Sequence, residues 1–170
     1  MKDTTPIYFH SATYAHEHGE LDQYHASHKA NIACREAIEQ AIADNYRDNR
    51  LGPACVQQVL QKFDPGRIFY VLANTVRQKD HDGRISRDNK AWAQTVPVCE
   101  DKDGFGYDRN VYFVVDRCNP GLTDLFLSQA RRECTPVQEQ KPSVRDSLNK
   151  NAGQQAAHSN KTKVNKEQAR

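Results

Sequence analysis

The chain has 170 residues, 24 Lys+Arg against 22 Asp+Glu, and a formal net charge of +2. That length allows one domain with a substantial core. The charge is unevenly spread: seven Lys/Arg against three Asp/Glu from Pro136 onward leave +4 there and −2 on the body before it, which excludes a body built as a basic duplex-binding domain.

Along the body the periodicity is helical. Ser11 suits the cap of a short helix ending at Gly19. A long helix is predicted from about Leu21 to Asn49, with Leu21, Tyr24, His28, Ile32, Ile38, Ile42 and Tyr46 on its better-buried side. Alanines at 30, 33, 37 and 41 would let another helix approach closely. Pro53 suits the first turn of a third helix carrying Val56, Val59, Leu60 and Phe63; Asp64-Pro65 then opens a fourth through Ile68, Val71, Leu72 and Val76. After a turn at Asp82-Gly83, Ser86 is the N-cap of a fifth helix holding Ala91 and Trp92.

From Val96 the pattern changes to that of strands. VPVCE and NVYFVVD, joined by the glycine-rich DKDGFGYD, predict one antiparallel hairpin with Pro97 on an edge. NPGLTDLFLSQARREC predicts a closing helix capped by Asn119, with Leu122, Leu125, Phe126 and Ala130 on its inner face. Beyond it the chain turns to Gln, Asn, Lys and Ser without aromatics, a composition that buries too little apolar surface to order itself. The expected architecture is therefore a helix-rich α+β domain over residues 1–135 with a small antiparallel hairpin, followed by a disordered basic tail over 136–170. The first twenty residues lack a signal-peptide core, and no apolar run reaches the length of a membrane span. Cys34, Cys55, Cys99, Cys118 and Cys134 are odd in number and contain no C-x-x-C pair, as reduced thiols of a cytoplasmic protein would be.

Several stretches imitate chemical sites. QKDHDGRISRDN, Gln78 to Asn89, approaches a calcium loop with Gly83 at its sixth position. A hard cation needs carboxylates at the first and twelfth positions, where Gln78 and Asn89 stand, so a capped turn is the better reading. His16, His18, His25 and His28 fall at no familiar zinc spacing. A nucleophilic Cys99 or Cys34 would need a histidine and an orienting third group, which nothing local supplies. Asp80, Asp82 and Asp88, or Asp101, Asp103 and Asp108, could hold a nuclease metal, yet both groups coincide with turn signals. No catalytic residue, metal or cofactor is assigned.

The remaining site candidate is Arg84, Ser86, Arg87, Lys90 and Trp92, gathered around a helix start. Free N–H groups there favour anions, Arg and Lys grip phosphate, and Trp stacks on bases. The same side chains anchor protein interfaces; alternatively Trp92 is core and the cations are solvated.

Taken together, YFHSATYAHEHGELDQYHASHKANIACREAIEQAI, YVLANTVRQKDHDGRISRDNKAWAQTVPV and RNVYFVVDRCNPGLTDLFL resemble an uncharacterised domain-of-unknown-function family of conjugative and integrative elements in gut bacteria. The resemblance runs from Tyr8 to about Cys134, and KPSVR at Lys141 to Arg145 resembles a segment of the tails of such proteins. It implies a genetic setting near anti-restriction and DNA-processing modules. The expectation is a non-catalytic accessory or interaction module of a mobile genetic element, contacting a protein or nucleoprotein partner, with weak nucleic-acid contact through the tail and none with membrane. The alternatives are an anti-defence inhibitor of a restriction or CRISPR nuclease and, below it, a metal-dependent nucleic-acid-processing enzyme.

Overall fold

The fold is that of a computed structural model describing residues 1–135; the predicted tail over 136–170 lies outside the described residues. The domain is helix-rich α+β. Its elements run α1 (Ala12–Glu17), α2 (Leu21–Asn45), β1 (Tyr46–Arg47), β2 (Arg50–Leu51), α3 (Cys55–Leu60), α4 (Pro65–Gln78), α5 (Arg87–Thr95), a 3-10 helix (Arg109–Phe113) and α6 (Pro120–Cys134).

The most enclosed element is α4. It opens with Asp64 in extended conformation and Pro65 in the first turn, as the sequence predicts. Ile68, Val71, Leu72 and Val76 are buried, but so are Tyr70, Ala73, Asn74 and Thr75 on its other sides. α2, α5 and the 3-10 helix surround it. Each fully buried aliphatic side chain contributes about 1.5–3 kcal/mol of transfer free energy, so this helix is the principal source of core stabilisation. Thr75 and Asn74 remain polar inside because both are satisfied: the Thr75 hydroxyl donates to Val71 O at 2.8 Å and accepts from Val115 N at 3.0 Å, while Asn74 Nδ2 donates to Tyr70 O at 2.8 Å.

Helix α2 buries a narrow stripe of Ala30, Asn31, Cys34, Ile38, Ala41 and Ile42 against α3, α4 and α6. The stripe is rotated from the predicted one: Leu21, Tyr24, His28 and Ile32 lie on its half-buried flank, and Tyr46 is exposed. The small residues Ala30 and Ala41 take inward positions where a larger side chain would hold a neighbouring helix away. Across α2 runs the N-terminal segment, fastened by Tyr8 N to Ser27 Oγ at 3.0 Å and by Asp3 N to Lys62 O at 2.8 Å.

Two predicted boundaries are corrected. The long helix stops at Asn45 rather than Asn49, because Asp48 and Asn49 take φ of +50° and +60°. Asp and Asn tolerate that left-handed region better than most residues, and two such residues in succession make a tight hairpin turn. The antiparallel hairpin therefore lies here, with Tyr46 opposite Leu51 and Arg47 opposite Arg50. Val96 to Asp116 forms no hairpin: a single bridge joins Lys102 and Asp108, and NVYF belongs to the 3-10 helix. Side chains compete successfully for the backbone there. Asp108 Oδ1 accepts from Asn110 N at 2.8 Å, and Asn110 Nδ2 donates to Cys99 O at 2.8 Å and Asn74 Oδ1 at 3.1 Å. Phe113, Val114 and Val115 are buried in succession instead of alternating as a one-faced strand requires.

Helix α6 closes the domain against α3 and α5. Thr123, Phe126, Leu127 and Ala130 face inward, whereas Leu125, predicted on that face, is 49% exposed.

Candidate functional site

The residues predicted around the start of α5 do not converge on one point. Arg84 folds back on the turn before the helix, where its Nη2 lies 2.7 Å from Asp82 Oδ2 and its Nε donates to Asp82 Oδ1 at 3.0 Å. This pairing holds the Asp82 carboxyl below the usual carboxylate range. Ser86 is the N-cap, as predicted, its Oγ accepting from Asn89 N at 3.3 Å. Its own N–H and hydroxyl donate to Asp124 Oδ1 at 2.9 and 3.1 Å, so a carboxylate from α6 already occupies the place an anion would take. Trp92 is half-buried, edge-on to Phe69 at 5.4 Å between ring centroids, with the Arg131 guanidinium over its ring at 5.6 Å. Of the predicted cations, only Arg87 and Lys90 have side chains without a hydrogen-bond or ion-pair partner among the described residues.

Several residues of the other imitations of chemical sites are engaged in contacts within the domain. In the former calcium loop, Gln78 Nε2 donates to Asp108 Oδ2, and Asn89 Nδ2 donates to Asp124 Oδ1 at 2.7 Å. Amide donors rather than oxygens thus face the carboxylates. Among the described residues no three His, Cys, Asp or Glu side chains are grouped to hold a metal ion. His18 stacks on Tyr14 at 3.8 Å, and His28 stacks on Tyr24 at 5.7 Å while meeting Phe113 edge-on. All five thiols are pushed up by burial, Cys34 and Cys55 to about 12, far from the thiolate that nucleophilic attack needs.

One polar centre is buried. Asp101, 3% exposed, accepts from the Tyr24 hydroxyl at 2.5 Å, Ala12 N at 3.1 Å and Arg109 Nη1 at 3.2 Å. The Asp101 carboxylate thereby ties α1, α2 and the segment leading into the 3-10 helix together. The space among Tyr24, His28, Cys99 and Asn110 is only about 10 Å3, no more than one water could occupy. The centre serves to fix the stretch of chain just beyond Asp101.

That stretch, from Asp103 to Tyr112, is an aromatic loop that runs into the 3-10 helix at Arg109. Asp103 Oδ1 accepts from Phe105 N and Tyr107 N, both at 2.9 Å, and Asp103 N donates to Tyr107 O at 2.9 Å. Gly106 sits at φ +86°, in the region where a side chain would be strained. Arg35 Nη1 donates to Tyr112 O at 2.8 Å and anchors the far end on α2. On this fixed frame Phe105 is 91% exposed, Tyr107 74%, Tyr112 62% and Val111 49%. Scattered exposed apolar residues are ordinary, but here four fall within eight positions on a hydrogen-bonded segment. The sequence carries the signal in FGYD followed by VY, where aromatic residues fall on a glycine-rich turn instead of in the core.

The family described as protein of unknown function, DUF3849, matches residues 7–135, and the chain belongs to that family. No curated protein and no solved structure is significantly similar to it. Among the described residues no helix is long and apolar enough to cross a membrane.

Proposed function

We propose that the domain is a non-catalytic interaction module that docks a protein partner through the aromatic loop. The observation that carries the reading is the combination of Phe105, Tyr107 and Tyr112 largely in solvent with a backbone already fixed by Asp103 and Arg35. Tyr and Phe supply large contact area at small conformational cost, and a preorganised loop loses little entropy on docking. In the setting that the sequence resembles, such a module serves as an accessory component of a mobile genetic element. An inhibitor of a restriction or CRISPR nuclease would use the same kind of contact. Arg87 and Lys90 beside Trp92 form the second face, with Arg84 and Ser86 committed to Asp82 and Asp124.

The test is affinity capture from the native host with nuclease treatment, comparing the natural chain with the triple variant Phe105→Ser, Tyr107→Ser, Tyr112→Ser. Capture that survives nuclease and is lost from the folded triple variant supports the reading. Retention by that variant, with loss from Arg84→Ala, Arg87→Ala, Lys90→Ala, moves the contact to the second face. Loss on nuclease treatment alone identifies bridging by nucleic acid.

A further inference from the structure

Beside the exposed rings lies an open cavity of about 380 Å3, walled by Asp103, Tyr107, Asp108, Arg109, Val111 and Tyr112. Its one cation is already committed: Arg109 Nη1 lies 3.2 Å from Asp101 Oδ1 and donates to Lys102 O at 3.4 Å. Asp103 uses Oδ1 for the two loop amides and has no hydrogen bond at Oδ2 among the described residues. Asp108 accepts from Asn110 N and from Gln78 Nε2, both neutral donors. The cavity wall itself carries two acids, Asp103 and Asp108, against Arg109, and from Glu100 to Tyr112 the chain carries four acids against Lys102 and Arg109, so this segment is net negative.

We propose that this cavity receives a basic side chain, Lys or Arg, of the partner protein. The aliphatic stem would cover the Tyr107 and Tyr112 rings, and the charged head would meet Asp103 and Asp108. Long cationic side chains bury their methylenes on apolar surface while keeping the charge at a polar edge, and a cation near a phenol ring gains from its quadrupole. A phosphate backbone would meet the wrong sign of charge here. A wholly apolar partner would desolvate two carboxylates without supplying a counter-charge. This assignment rests on the reading of the loop as a docking face, and it specifies what the partner must present.

The variants that separate the two are Asp103→Asn and Asp108→Asn together. Asn retains an Oδ1 acceptor for the amides of Phe105, Tyr107 and Asn110, and the Gln78 side-chain amide, which donates to Asp108 Oδ2, can turn over to present Oε1 to the NH2 introduced there, so the loop is kept while the charge is removed. The full-length 15N-labelled chain is titrated with acetyl-Leu-Lys-Leu-amide and with the same peptide carrying norleucine or Glu in place of Lys. The expected result is saturable shifts of the amides from Asp103 to Tyr112 by the Lys peptide. Binding should be about tenfold weaker for norleucine, for Glu, and for the Lys peptide on the double Asn variant. No response to the Lys peptide, or equal responses to Lys and norleucine, overturns the assignment. In the capture experiment, a partner lost from the triple Ser variant but held undiminished by the double Asn variant overturns the basic-side-chain assignment and leaves the docking face standing. A partner held by the triple Ser variant removes the docking face itself.

Discussion

Asp124 on α6 holds Ser86, the N-cap residue at the head of α5, through two hydrogen bonds. Asp124 Oδ1 accepts from Ser86 N at 2.9 Å and Ser86 Oγ at 3.1 Å, while that hydroxyl accepts from Asn89 N. The same carboxylate takes Asn89 Nδ2 at 2.7 Å, and Arg131 Nη1 donates to Asn89 Oδ1 at 2.7 Å. Negative charge at a helix N-terminus is favourable, and here it also docks α6 onto α5.

Asp124→Ala should therefore destabilise by more than an exposed acid would. Ser86 Oγ still caps Asn89 N in this variant, but Ser86 N, Ser86 Oγ and Asn89 Nδ2 lose their shared acceptor, at about 0.5–1.5 kcal/mol for each bond, and Asn89 is only 1% exposed. Urea unfolding should give a lower midpoint at unchanged slope. A midpoint within error of the natural chain would show that the Asp124 carboxylate contributes nothing.

Trp92 distinguishes a packed side chain from an interface anchor. It lies against Phe69 and beneath Arg131 yet keeps part of its surface in solvent. Trp92→Ala should cost about 2–3 kcal/mol, less than the 3–5 of a fully buried Trp. Replacing Arg84, Arg87 and Lys90 together by Ala should change stability by about 0.5 kcal/mol or less. Chemical denaturation of both variants measures the contrast, and equal effects would contradict this placement.

Legibility in the sequence followed locality. The starts of α4 and α5 were readable because their signals, Asp64-Pro65 and Ser86, act within one turn. The end of α2 was readable only through the tolerance of Asp48 and Asn49 for positive φ, against an apolar pattern that continues to Tyr46. The stretch NVYFVVD has the composition of a strand, but its Asn110 side chain donates to Asn74 Oδ1, 36 residues away, and its Val115 N donates to the Thr75 hydroxyl, 40 residues away, which no local pattern reveals. At the site, Arg84 and Arg87 were visible as charges, while their separation depends on Asp82 and Asp124 claiming neighbouring groups. The aromatic segment was half legible: Phe105 and Tyr107 fall on a glycine-rich connection, whereas Val111 and Tyr112 read as strand residues until their exposure is known.

Stability should fall at both ends of the pH range. Tyr24, bonded to Asp101, is held above the ordinary phenol value of 10.0 chiefly by burial, and Tyr8 and Tyr70 are each pushed up to about 12. Above pH 10 the unfolded chain releases phenol protons that the folded chain keeps, so the unfolded state binds fewer and stability falls as pH rises. His28 is lowered from 6.5, mainly by burial. Below that value the unfolded chain binds a proton the folded chain refuses, and stability falls as pH falls. Tyr24→Phe should remove part of the alkaline loss, at the cost of one hydrogen bond to Asp101. Thermal midpoints from pH 5 to 11 test both limbs; a midpoint flat above pH 10 contradicts the first, and one flat below 6.5 the second.

Arg67 gives the sharpest test of how the N-terminal segment is held. The residue is 3% exposed, and its guanidinium donates to Ser27 O at 3.2 Å, to Asn31 Oδ1, and to Thr5 O at 2.7 Å. Among the described residues no carboxylate touches it; Asp3 acts only at longer range, and burial lowers its pKa. A planar fork is what allows one buried cation to reach three acceptors on two separate segments. Arg67→Lys keeps the charge but not the fork, leaving a desolvated ammonium with too few partners, so it should destabilise by about 2 kcal/mol or more. Arg67→Met leaves acceptors unpaired yet removes the buried charge, so it should be no worse than Lys. Both should speed hydrogen exchange at Thr5 and Tyr8 before the rest of the domain, because Thr5 O loses its tie to α4. An Arg67→Lys variant of natural stability with unchanged exchange there would mean that charge alone, without the fork, holds the segment.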